Sequence, residues 1–257
     1  MNAIAAWLYA LMVYLAPPDK LAAAPQLQGW EETASEKQAR YEEIAQALYH
    51  VTYAPETKSL FGGKHGRART AATLLAIAFM ESGFAKDVDK GPCSKQRPPG
   101  MDCDGGQAAG LGQIRLVDGA TIQPIHGVEG KTQKDIFGDR ELMFRIQLFM
   151  VTKSFASCRR YGADWALNVY ASGSCTRSKK AQKVPGDGLL KGQLVHEPDG
   201  LGAGRARLML ARRLLERSPI PGPDAEYLYR PEAPAPSPDA MRQIGSPTQA
   251  AAFLARP

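Results

Sequence analysis

The chain is predicted to fold as a mainly α-helical protein. Three observations carry that expectation: long stretches with apolar residues every three or four positions, few of the alternating apolar and polar runs that a larger sheet requires, and Gly-, Pro- and Asp-rich turns between the periodic stretches. A length of 257 residues, 44% of them hydrophobic and 23% charged, suits one domain with flanking segments. The expected division is an apolar N-terminal segment and linker over 1–34, a helical domain over 35–217, and a Pro/Ala-rich tail, extended or disordered, over 218–257. No internal repeat of solenoid length is evident.

Residues 3–16 are almost wholly apolar but too few for a comfortable membrane span. Two readings stand. One is an export signal, for which Ala22-Ala23-Ala24 supply small residues, although no Lys or Arg precedes the apolar run and Pro25 follows it. The other is an apolar helix of the mature protein, packed on the domain or anchored at a membrane interface. Residues 35–53 carry Tyr41, Ile44, Ala45 and Leu48 on one stripe and read as an amphipathic helix. The glycines of 61–67 lack the strand-before, helix-after context of a phosphate loop, so this segment reads as a connection. Thr70 is placed to cap a helix whose body, 71–80, is apolar almost all round and therefore buried. Asp139 is placed to cap another, bearing Leu142, Met143, Ile146 and Phe149. Asp164 opens the helix that brings Tyr170 inward, 174–204 reads as a basic, glycine-rich loop, and 205–216 as a last amphipathic helix.

A formal charge of +6 is mild, and no Lys/Arg block marks a nucleic-acid arm, so no nucleic-acid partner is expected. Attraction to an anionic polymer is consistent with that balance. The four cysteines and four histidines have no metal-ligand spacing, and neither a metal nor a cofactor is expected. Disulfides suit the cysteines better. Of three connectivities the favoured one is Cys93 with Cys103 and Cys158 with Cys175, since each pair closes a short loop-rich segment; it implies an oxidising compartment.

The buried helix ends in Glu81-Ser82-Gly83-Phe84. A carboxylate there loses hydration, so the chain must either open a cleft to it or favour its protonated form, which is what a general acid needs. Residue type alone leaves open a capped or solvated carboxylate. Two further stretches follow in order: Gly110-Leu111-Gly112-Gln113-Ile114 and Asn168-Val169-Tyr170-Ala171-Ser172-Gly173.

Together these three motifs, over 70–173, resemble the soluble lytic transglycosylases and their goose-type lysozyme relatives. The resemblance implies a lysozyme-like helical domain with loop insertions. It makes Glu81 the catalytic acid, followed by Ser82 as a substrate-binding residue. It places Gly110, Leu111, Gln113 and Ile114 along a sugar cleft and Tyr170 beside the acid. Aligned with goose-type lysozymes, Asp104 is the candidate second acid, while Arg115 replaces another acidic residue. Three departures matter: Gly112 stands where the family usually has Met, which is expected to widen a subsite; Ala171 stands where it usually has Asn; and the loop 91–106 is longer than usual. The implied activity is cleavage of the bond between N-acetylmuramic acid and N-acetylglucosamine in peptidoglycan strands, giving 1,6-anhydro products. The implied location is periplasmic, extracellular or virion-associated, with the tail as a tether or protein-binding segment. The rivals are a hydrolase using Asp104 and a catalytically idle wall-binding protein.

Overall fold

The computed structural model describes residues 1–22, 26–97, 103, 107–115, 131–161, 165–172, 175 and 203–229. They are mainly helical, as the periodicity predicts. Helix α1 (Ala3–Leu15) starts at Asn2, whose side-chain oxygen accepts the Ala5 N–H at 2.8 Å. Ile4, Leu8, Leu11 and Met12 are buried in the main core, and α1 packs on the two helices that dominate it. A short α2 (Pro18–Ala22) follows. No described helix is long and apolar enough to cross a membrane.

Helix α3 (Ala34–Tyr53) begins one residue earlier than expected because Thr33 is its cap: the Thr33 hydroxyl accepts the Glu36 N–H at 3.2 Å, and the Glu36 carboxylate accepts the Thr33 N–H at 2.7 Å. Helix α4 (Gly66–Ser82) is the buried one, every residue from 70 to 80 being buried. It starts four residues ahead of Thr70, which therefore does not cap it. The Thr70 hydroxyl instead donates to the Gly66 carbonyl at 2.8 Å and accepts the Leu60 N–H at 2.9 Å, tying the incoming loop to the first turn.

The first N–H groups of α4 still need acceptors, and His65 offers no side-chain cap. Asp224 supplies them from the far end of the chain, accepting from Arg67 N at 2.7 Å and Ala68 N at 3.3 Å, and from the Tyr53 hydroxyl at 3.0 Å. Asp224 sits in a strap, 218–229, that returns across α3. Its Tyr229 N–H donates to Tyr53 O at 2.9 Å, its Tyr227 carbonyl accepts the Tyr49 hydroxyl at 3.1 Å, and its Tyr229 ring stacks on His50. The packed body thus includes α1 before residue 35 and the strap after residue 217; residues 230–257 lie outside the described residues.

After α5 (Lys86–Lys90), a short antiparallel pair, β1 (Ala108–Ala109) and β2 (Ile114–Arg115), aligns Ala109 with Ile114. Then come α6 (Gln133–Ile136), α7 (Arg140–Cys158), α8 (Asn168–Ser172) and α9 (Ala203–Arg217). Asp139 caps α7 as expected, accepting Leu142 N at 2.9 Å. The helix carrying Tyr170 starts later than expected, at Asn168, and Asp164 lies outside the described residues. Helix α9 lies along α4. Buried charges are paired, as their desolvation demands: Arg140 binds Asp89 at 2.7 and 2.9 Å and Glu43 at 2.7 Å, joining α7, α5 and α3. Two disulfides join Cys93 to Cys103 and Cys158 to Cys175, with Cα separations of 5.9 and 5.3 Å. They suit an oxidising compartment.

The strap makes a checkable claim. Asp224→Ala is expected to lower the unfolding free energy by about 1–2 kcal/mol, the worth of a lost helix cap, and Asp224→Asn by less, because an acceptor remains. Denaturant midpoints of the three proteins measure both.

Candidate active site

Helix α4 stops at Gly83, which adopts a left-handed conformation (φ +58°) and donates its N–H to Phe79 O at 2.7 Å. Phe84 is left-handed too (φ 56°), and its fully buried ring meets Tyr41 edge-on at 5.6 Å. These two residues turn the chain sharply and leave Glu81 in the last turn with its side chain 20% exposed. Ser82 completes that turn: its hydroxyl donates to Ala78 O at 2.6 Å and accepts the Phe84 N–H at 3.1 Å. The hydroxyl expected to meet substrate is therefore engaged in ending the helix.

Glu81 is held by Arg207 of α9, whose Nη2 and Nε donate to the same oxygen, Oε1, at 2.6 and 3.1 Å. Arg207 is only 3% exposed. In the sequence it is one arginine among several in an amphipathic stretch. A signal was nonetheless present: Arg207, Leu210, Ala211 and Leu214 fall on one helical stripe, and all four are buried. An arginine on an apolar stripe calls for a carboxylate partner.

Tyr170, on α8, donates its hydroxyl to Gly112 O at 2.6 Å, bringing the second and third motifs together. Burial pushes the Tyr170 phenol well above its ordinary range, and the negative charge of Glu81 pushes it further; Arg207 and Gln147 pull it back. Tyr170 N–H donates to Ser154 Oγ at 3.2 Å, and that hydroxyl donates to Ala166 O at 2.6 Å, so α7 sets the position of α8.

The turn between β1 and β2 is tight. Gln113 donates its N–H to Gly110 O at 2.9 Å and its side-chain amide to the same oxygen at 3.2 Å, with φ 48°. Gly110, at φ +67°, has no room for a side chain, since a Cβ would stand 2.8 Å from Met143 Cγ. Leu111 and Ile114, expected along the cleft, are buried in the core and anchor the turn. Gly112 does not widen a subsite. A Cβ there would lie 3.2 Å from Gln147 Cδ, 3.3 Å from Met143 Sδ and 3.3 Å from the Tyr170 oxygen, so these side chains occupy the space a Met would fill. Gln147, fully buried and donating to Leu74 O at 3.3 Å, is a further polar member of the cluster that sequence reasoning missed. Asp104 lies outside the described residues, and of Arg115 and Ala171 only the backbone placement, in β2 and α8, is described.

The segment beyond α5 is clasped by Asp87, which accepts Arg97 at 2.6 Å on each oxygen and Ser94 N–H at 2.9 Å. Burial pushes the Asp87 carboxyl up, but the Arg97 and Ser94 bonds outweigh it and hold it below the ordinary range. Among the described residues no cluster of His, Cys, Asp and Glu could hold a metal.

Two outcomes follow from this geometry. Because the Asp87 pKa is depressed on folding, its stabilisation is complete above the unfolded value of about 3.9 and disappears as pH falls through the lower folded value; Asp87→Asn should flatten that part of an acid-unfolding curve. Gly112→Met should destabilise by about 1–3 kcal/mol through overpacking against Gln147 and Tyr170, read from thermal and denaturant unfolding. No protein-family model matches this chain, and neither a curated protein nor a solved structure matches it.

Proposed function

We propose that the chain is a lysozyme-like muralytic enzyme, a lytic transglycosylase acting on the β-1,4 bond between N-acetylmuramic acid and N-acetylglucosamine. The observation that carries this reading is convergence. The Tyr170 hydroxyl is bonded to Gly112 in the β1–β2 turn, and α9, which carries the Arg207 partner of Glu81, packs on both α4 and α8. These contacts support reading the three motifs as one site around a carboxylate that keeps some exposure.

In this reading protonated Glu81 gives its proton to the glycosidic oxygen as the bond from C1 of the muramic acid breaks, and an oxocarbenium-like charge develops at C1. The substrate's acetamido group stabilises that charge. Ionised Glu81 then removes the C6 hydroxyl proton while the C6 oxygen bonds to C1, so no water is consumed and Glu81 ends protonated. Arg207 fits the middle of this cycle, where a charge-assisted bond stabilises the carboxylate. It opposes the first step, because a carboxylate bound to a guanidinium has no proton to give. Substrate binding must therefore loosen the contact, and Oε2, which Arg207 does not bind, is the oxygen suited to proton exchange. Two disulfides and an envelope polymer as substrate agree with action in the periplasm or outside the cell.

A second reading draws on the same pair. A buried arginine locked to Glu81 is also what a structural ion pair looks like, and it favours a wall-binding protein without turnover.

Incubating purified peptidoglycan with the parent and with Glu81→Gln, followed by mass spectrometry of released muropeptides, separates the readings. Anhydro products from the parent alone are the expected result. Reducing-end products would assign a hydrolase and direct attention to Asp104. Binding without release of products would leave the wall-binding protein.

A further inference from the structure

A groove of about 710 Å³ opens on the seam between α4 and α9, away from the Glu81 cluster. That volume falls within the roughly 300–1,000 Å³ span of small-molecule and peptide-scale sites. Its floor is apolar, with the half-buried rings of Phe61 and Phe155 meeting edge-on at 5.6 Å above Leu208 and Ala211. Its rim carries Lys58 from the loop before α4, Arg69 from α4, Arg159 from just beyond α7 and Arg212 from α9, all exposed. No Asp or Glu is among the described residues that line it.

Four buried or mostly buried arginines of the fold are matched to carboxylates: Arg40 to Glu32, Arg97 to Asp87, Arg140 to Asp89 and Arg207 to Glu81. Lys58, Arg69 and Arg159 form no ion pair among the described residues, although three separate segments bring them to one groove. Solvated like charges gathered around an apolar floor give the groove a positive potential that attracts an anionic ligand. The cations are also spread over different elements and not gathered at one end. That distribution suits a ligand with several carboxylates along its length and small apolar groups between them, and suits less well an amphiphile with one charged head.

We propose that this groove binds the acidic peptide branches of the wall polymer, an inference that rests on the muralytic reading and extends it to peptide-bearing strands. Thr73 on the groove wall lies a little over two turns, roughly 12 Å along α4, before Glu81. Leu208 on the floor directly follows Arg207. The same two helices therefore carry both the carboxylate and the groove, so a peptide held in the groove fixes a strand, or its cross-linked neighbour, relative to Glu81. Phe61 is already covered on one side by the Arg69 guanidinium at 4.5 Å, which leaves Phe155 and the leucines to meet alanine methyl groups.

The test is calorimetric titration of the full chain with the stem pentapeptide L-alanyl-γ-D-glutamyl-meso-diaminopimelyl-D-alanyl-D-alanine and with its fully amidated form. The expected result is binding of the acidic peptide by the parent and by Glu81→Gln alike. The affinity should fall at least about tenfold in Lys58→Glu/Arg159→Glu, and to a similar extent for the amidated peptide with the parent. Arg145→Glu, an exposed change outside the groove, should leave it unchanged, and circular dichroism should show every variant folded. Absence of binding, equal binding of both peptides, or indifference to the double charge reversal would overturn the proposal. Peptide binding at the groove by a chain that cleaves no wall would end the enzyme reading and leave the groove assignment standing; wall cleavage without peptide binding would do the reverse.

Discussion

The contact on which the candidate site turns is the one between Glu81 and Arg207. Helix α4 is buried on every side, so its end is where a charge must either find water or find a partner. Glu81 does both, offering one oxygen to the Arg207 guanidinium and keeping a fifth of its side chain exposed. Arg207 places its guanidinium on the α4–α9 seam, which the buried Leu210 and Leu214 stripe holds together. A single ion pair thus links the closing helix of the fold to the carboxylate proposed as the catalytic acid.

The remaining devices position that carboxylate. Asp224 holds the start of α4, Gly83 and Phe84 end it, and Ser82 satisfies its last turn. On the facing side, Ser154 sets α8 and Tyr170 reaches the Gly112 carbonyl. Gly112 serves this closeness directly, since its missing side chain is what lets Met143, Gln147 and the phenol converge. Around the cluster the protein is tied by the buried Arg140 network and two disulfides, so the site stands on paired helices and not on free loops.

Much of this was legible in the sequence, and the reason is locality. Helical periods, the Asp139 cap and the buried character of 71–80 are set by residues within a turn or two of one another. The favoured cysteine pairing also matched, because each bridge spans a short loop. What escaped was set by distant partners. The cap of α4 comes from Asp224, far along the chain, and not from Thr70, the candidate that local sequence offers. Arg207 and Gln147 acquire meaning only when α9 and α7 pack against α4. The reading of Gly112 failed for a related reason: a missing side chain leaves a void only if no neighbour moves in, and three do.

The central claim is that Glu81 is kept for chemistry and not for stability, and one measurement addresses it directly: the unfolding free energy of Glu81→Leu/Arg207→Met relative to the parent. An ion pair this buried recovers only part of its desolvation cost, so an apolar pair of similar volume should be as stable or more so. A loss of several kcal/mol would contradict the account, by showing that the fold needs the pair whether or not anything is cleaved.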